Sequence, residues 1–256
     1  TFAPVTYSNG TEASWIGANG QPTTGTLADA LGAVKDSGGT ITLLNNATLN
    51  NAKYTISNDV TIQTSAPSVG NVPTITVKVA EGASTVGITI QNGGSLTLYG
   101  AAMVVNGTAG TSSLESDKYN GTGLDVNYGG ELTLENGASL ALNGLNRGMV
   151  SSRPDSTNMT LAKITVDGST LSADGIDGNF SNGGEFTFTN SIVNIKNCGN
   201  HGLSVEELTV TNSEVTLSGI GYSAIYGNEL NFENGAVVNV SAAGSKLPKE
   251  NWNGSE

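Results

Sequence analysis

The chain has 256 residues, a length that suits one elongated domain and also allows two. Its formal net charge of −12 and pI near 4.3 speak against a nucleic-acid or anionic-membrane partner, since both need a basic surface. Charged residues make up only 12% and glycines number 35, a composition that would suggest disorder if apolar residues did not recur so regularly.

Residues 1–25 read as a loop segment holding Trp15 and several Gly and Thr. Residues 26–37 read as an amphipathic helix: Leu27, Leu31 and Val34 fall on one face, Thr26 can cap it, and Gly38-Gly39 can end it. The helix runs directly into the strand pattern Thr40-Ile-Thr-Leu-Leu44, and short alternating runs follow around Tyr54, Val60, Ile75 and Val86. From Leu96 a register emerges, in which Ile164, Phe186, Leu208 and Leu230 stand 22 residues apart and open near-identical units. A period in this range marks a solenoid.

Each unit opens apolar-polar-apolar, as in Leu132-Thr-Leu134, which is a short strand with one buried face. Four residues after the first apolar position stands a slot held by Gly100, Asn136, Gly168, Asn190, Asn212 or Asn234. Gly and Asn are the residues that most readily take a left-handed backbone, so the slot predicts a tight bend on every turn. Stacked Asn side chains there can hydrogen-bond from turn to turn. A second strand follows (Leu140/Leu142, Val193/Ile195, Val215/Leu217), then a third (Leu124-Asp-Val126, Ile176-Asp177, Leu203-Ser-Val205, Ala224-Ile-Tyr226). Three strands and three bends per turn, with no crossover helices, predict an all-β parallel β-helix and exclude a Rossmann-type sheet. Leu96 to Leu132 is 36 residues and Leu132 to Ile164 is 32, so these turns carry insertions near residues 108–121 and 146–158. Both insertions flank the third strand, and solenoid insertions usually gather on a binding face.

The segment Leu27-Ala-Asp-Ala-Leu31-Gly-Ala-Val34, followed by Gly39-Thr-Ile-Thr-Leu43, resembles the opening of the pectate-lyase-like right-handed parallel β-helix superfamily. The resemblance covers about residues 26–244 and implies a helix capping the N-terminal end of the coil. Its divisions are an N-terminal loop segment (1–25), a capping helix (26–37), a right-handed parallel β-helix (38–245) and a C-terminal tail or linker (246–256). In its plain Thr/Asn/Gly repeats the chain is closest in character to the non-catalytic β-helix domains of bacterial cell-surface adhesins.

On the third strand, Asp125, a position near Val150, Asp177, Ser204 and Tyr226 are expected to form an outward column. Around it gather Tyr128, Arg147, Arg153, Asp174, Asn179, Asn200, His201 and Tyr222, and carboxylates, amides and exposed rings suit sugar hydroxyls and sugar faces. Asp125, Tyr128, Arg147, Arg153, Asp177, Asn179 and Tyr226 are the expected ligand-binding set. The alternative is an enzyme acting on an acidic polysaccharide. Asp174-Gly-Ile-Asp177 and Gly199-Asn-His201-Gly-Leu-Ser-Val205 resemble two segments of polygalacturonase-type glycoside hydrolases. That resemblance would make Asp174 or Asp177 a catalytic carboxylate and His201 a helper. Gly183-Gly-Glu-Phe186 stands where that family carries paired aspartates, and Asn200 stands where it carries Gly. A lyase of the superfamily uses a basic residue and clustered carboxylates holding Ca²⁺; Arg147 and Arg153 are the only arginines.

Cys198, the single cysteine, reads as a small buried apolar side chain. Thr-x-Thr pairs such as Thr187/Thr189 and Thr209/Thr211 are similar to flat ice-binding faces, with only one Thr of each pair expected on a given face. No signal peptide and no membrane-spanning apolar run is seen. The expectation is a monomeric adhesin or carbohydrate-recognition module of a larger exported bacterial protein, secreted or on the cell surface. It would recognise a glycan or a host receptor, need no cofactor, metal or membrane insertion, and leave Ca²⁺ open. A structural stalk is the third reading.

Overall fold

The computed structural model describes residues 10–64, 72–82, 84–109, 119–151 and 160–244. Alternation puts every second side chain on one side, and the described strands assemble into three long, mostly parallel sheets. The first sheet runs in chain order through Gly39–Leu43, Asp59–Thr64, Ser95–Tyr99, Glu131–Glu135, Lys163–Asp167, Glu185–Thr189, Leu203–Thr211 and Ile225–Glu233. The second runs through Ala47–Ala52, Thr74–Val79, Ala102–Asn106, Ser139–Leu145, Thr170–Ile176, Ile192–Cys198, Glu214–Ser218 and Val237–Ser241. The third comprises Tyr54–Ile56, Val86–Ile90, Thr122–Val126 and Arg147–Val150. The chain visits the sheets in rotation, an all-β arrangement compatible with a solenoid.

Register is held from strand to strand. Leu96, Leu132, Ile164, Phe186 and Leu208 pair in one file, and Leu140, Leu171, Val193 and Val215 in another; all are buried. Each inward side chain contributes about 1.5–3 kcal/mol of burial. Phe186 and Phe188 meet edge-on, their ring centroids 6.1 Å apart.

The bend between the first and second strands carries the expected slot. Asn136, Asn190, Asn212 and Asn234 take φ of 57°, 50°, 46° and 44°. Gly100 and Gly168 take φ of 60° and 54° at the same place. Behind the slot a buried serine file joins successive turns: Ser169 N–H donates to Ser191 Oγ and Ser191 N–H to Ser213 Oγ.

The helix covers Leu27–Val34 and buries Leu27, Ala30, Leu31 and Val34 against Ala13–Ile16, Gly39–Leu43 and Ala47–Ala52. Thr26 Oγ1 accepts from Asp29 N–H at 3.1 Å. Residues 13–25, expected as loop, instead form a hairpin of Ala13–Ile16 with Pro22–Gly25. Ala13–Ile16 then adds antiparallel to Gly39–Leu43. Buried Ala13 and Trp15 alternate with Ser14 and Ile16, a pattern too short to stand out from its Gly-rich surroundings.

Two further corrections concern strand geometry. Thr187 and Thr189 lie on the same outer face, either side of buried Phe188, because residues two apart on a strand share a face. Thr61, Thr97, Thr133, Thr165, Thr187 and Thr209 consequently form one in-register file. The third strand also changes character along the molecule. After Arg147–Val150 it leaves the third sheet, and Leu203–Thr211 and Ile225–Glu233 run unbroken from the third side into the first sheet.

Of the two insertions, the first is anchored by Thr108–Ala109 pairing antiparallel with Tyr119–Asn120. Most of the second, with Arg153, lies outside the described residues.

Candidate functional site

The outward column of the third side is built by parallel pairing. Asp125 lies between Thr89 and Val150, and Ser204 lies beside Tyr226. Between Val150 and Ser204 the structure places Asn182, not Asp177. Ser151 N–H donates to the Asn182 carbonyl at 3.0 Å, and Gly183 N–H donates to the Ser204 carbonyl at 2.9 Å. Asp177 is displaced because Ile176 belongs to the second sheet, paired with Leu145 and Cys198. Asp177 Oδ2 instead accepts from Tyr119 N–H at 2.6 Å and so holds the root of the first insertion.

An open depression of about 540 Å³ lies along this column, lined by Tyr128, Asn182, Ser204, Glu206, Tyr226 and Asn228 among others. Its floor is fixed from below. Buried Ser181 Oγ donates to the Ser204 carbonyl at 3.1 Å and accepts from Ser204 N–H at 3.0 Å. Ser151 Oγ donates to the Asn182 carbonyl at 2.9 Å. On the rim, Asn228 Nδ2 donates to Glu206 Oε2.

Tyr226 is 62% exposed and stands on the wall of the depression. Tyr128, expected as an exposed ring, is buried at 3% exposure and contributes only an edge of the lining. It follows Val126 at a two-residue spacing, so the strand's inward alternation carries on one step past the strand end.

His201 packs edge-on against Tyr222, with ring centroids 5.0 Å apart, and tilted against Tyr226 at 6.0 Å. Its backbone N–H donates to Asn179 Oδ1 at 3.3 Å. Burial lowers its pKa, which keeps the ring neutral at pH 7. Its Nδ1 is buried and has no hydrogen-bond partner among the described residues.

The remaining expected residues lie apart from the depression's lining. Asp174 is exposed on the second sheet, where its Oδ1 accepts from Asn197 Nδ2 at 2.8 Å. Arg147 is exposed beside Thr122 at the start of the last third-sheet strand. Asn200 is exposed and Asn179 half-buried, on the turn leading to His201. Cys198 is buried and its thiol is pushed up to about 12 by burial and by the nearby Asp174, so it is no nucleophile at neutral pH. Among the described residues no group of three or more His, Cys, Asp or Glu is placed to hold a metal ion, and no helix is long and apolar enough to cross a membrane.

Sequence reasoning missed Asn182, Glu206 and Asn228. Glu206 and Asn228 carried a usable signal, since both follow a third-strand segment by the same step, 22 residues apart. Asn182 carried none, because Gly178 to Gly183 shows no alternation.

Chemically the lining offers amide donors and acceptors, hydroxyls, one carboxylate and a tyrosine ring. Such a set pairs with the alternating donors and acceptors of a polyol, and the ring offers an apolar face. No family model, no curated protein and no solved structure matches this chain.

Proposed function

We propose that the chain is a right-handed parallel β-helix of the pectate-lyase-like kind, capped at its N-terminal end by Leu27–Val34, and that it recognises carbohydrate on its third side. The function is that of an adhesin or glycan-binding module of a secreted or cell-surface bacterial protein. The observation that carries the reading is the depression around Tyr226, Asn182, Ser204, Glu206 and Asn228. Its polar groups face solvent on a backbone fixed by parallel pairing, a pre-formed concave site with convergent polar groups. The carboxylates named for a hydrolase have other partners here: Asp177 holds Tyr119, and Asp174 holds Asn197 on the second sheet.

The test is retention on immobilised pectin, alginate, neutral plant glycans and host glycans, with and without Ca²⁺, while new reducing ends and unsaturated products are scored. Wild type should be held by at least one glycan with no product formed. Tyr226→Ala, an exposed position, should weaken retention at least tenfold with an unchanged melting temperature. Product formation from any substrate, or retention untouched by Tyr226→Ala, overturns the reading.

A further inference from the structure

The depression on the third side has a sign of charge. Among its described lining residues Glu206 is the one charged side chain, and no lysine or arginine stands there. Glu206 follows Ser204 by two residues on Leu203–Thr211, and Asn228 follows Tyr226 by two on the paired strand Ile225–Glu233. The next residues on these strands, Glu207 and Glu229, pair in register and are exposed, so the rim toward the first sheet is acidic as well. Glu185 continues that file, and Lys163 comes only one strand further on. His201, tilted against the Tyr226 ring at 6.0 Å, is kept neutral by burial and adds no positive charge at pH 7.

The donors of the lining are largely committed inside the protein. The Ser151 N–H and hydroxyl both donate to the Asn182 carbonyl, Gly183 N–H to the Ser204 carbonyl, and Ser204 N–H to Ser181 Oγ. Asn228 Nδ2 donates to Glu206 Oε2. A carboxylate accepts at two oxygens and donates nothing, so the lining leans toward a ligand that donates.

We infer that the depression takes a glycan carrying protonated amines, a chain of hexosamine units that are not N-acetylated, with an ammonium seated between the Glu206 carboxylate and the Tyr226 ring. This rests on the glycan reading of the same depression and narrows it to one class of sugar. Glu206 and Tyr226 are diagonal neighbours across a strand pair, within reach of an aromatic side chain. The carboxylate supplies a charge-assisted hydrogen bond, and the ring supplies a face that attracts a cation. The Asn182 amide and the Ser204 hydroxyl meet the sugar's own hydroxyls. A uronate or a sulfated sugar brings a group that only accepts, and the described lining holds no cation to meet it.

The test uses the full chain and three β-1,4-linked tetramers that differ only at C2: glucosamine, N-acetylglucosamine and glucose. A galacturonate tetramer is the acidic control. Affinity is read by calorimetry at a pH where the amine is charged. The glucosamine tetramer should bind at least about tenfold more tightly than the other three, the scale of one hydrogen bond to a charged group. Its affinity should fall as salt rises. Glu206→Gln keeps the shape and an oxygen to accept from Asn228. It should leave the melting temperature in place and bring the glucosamine tetramer down to the affinity of the glucose tetramer.

Equal or tighter binding of the glucose, N-acetylglucosamine or galacturonate tetramer overturns the inference and leaves the glycan reading standing. So does a preference for the amine that survives Glu206→Gln, or retention by the immobilised glycans with no tetramer bound. No binding to any tetramer or to any immobilised glycan overturns both.

Discussion

At Asn190 the backbone takes φ of 50°, and the side-chain Oδ1 accepts from Asn212 Nδ2 at 2.7 Å. One residue thus serves the bend and the contact between turns. A left-handed backbone costs a residue with a Cβ about 1–2 kcal/mol, and a hydrogen bond contributes about 0.5–1.5 kcal/mol net. Asn190→Ala should therefore lower stability by roughly 2 kcal/mol, and Asn190→Gly by about 1 kcal/mol. Urea unfolding of the two variants separates the terms, and equal losses would contradict the double role. His201 gives a second prediction at this scale. Its folded pKa lies below the ordinary 6.5, so on acidification the unfolded chain takes the proton first. The stability that neutral His201 provides is complete above the unfolded value and is lost as pH falls through it. His201 is the one histidine. The urea midpoint of the wild type should fall between about pH 7 and pH 5.5, and that of His201→Gln should fall less. Parallel curves would contradict the account.

Among the elements, the helix depends on its first turn. Thr26 Oγ1 accepts from Asp29 N–H, and its hydroxyl donates to Asp29 Oδ2 at 2.7 Å. Thr26→Val keeps the shape and removes both bonds, so it should cost about 1 kcal/mol by thermal unfolding; an unchanged midpoint would show that packing alone holds the helix.

This helix was legible because Leu27, Leu31 and Val34 match the 3.6-residue period and Thr26 and Gly38 mark its ends. The first and second strands were legible for a related reason: the slot at 168, 190, 212 and 234 fixes their phase, and all the predicted inward residues up to Leu217 are buried. The third side was legible only in part. Asp125, Ser204 and Tyr226 stand in its outward column, but Ile176-Asp177, which reads as part of it in the sequence, does not, because Ile176 pairs with Cys198 on the second sheet. Gly175, with φ of 69°, lets the second strand bend and continue, and local alternation looks the same on either side of such a bend. The site followed the same boundary. Residues on well-phased strands were found, and those on the irregular link from Gly178 to Gly183 were not.

Taken whole, each strand of the long parallel sheets pairs with its counterparts before and after it, an arrangement compatible with a solenoid, in which a surface on one side can extend across several strands without altering the core. Asp125, Val150, Asn182, Ser204 and Tyr226 give that side a file of different chemistries, whereas the first sheet presents a repeated file of threonines. The varied file suits selective recognition of a chain of sugars, and the repeated one follows from the repeat itself. The measurement that separates them is amide hydrogen exchange with and without the glycan that retains the protein. Protection should concentrate at Asn182–Gly183, Ser204–Glu206 and Tyr226–Asn228, and leave Thr165, Thr187 and Thr209 unchanged. Protection along the threonine file, or none on the third side, would contradict the account.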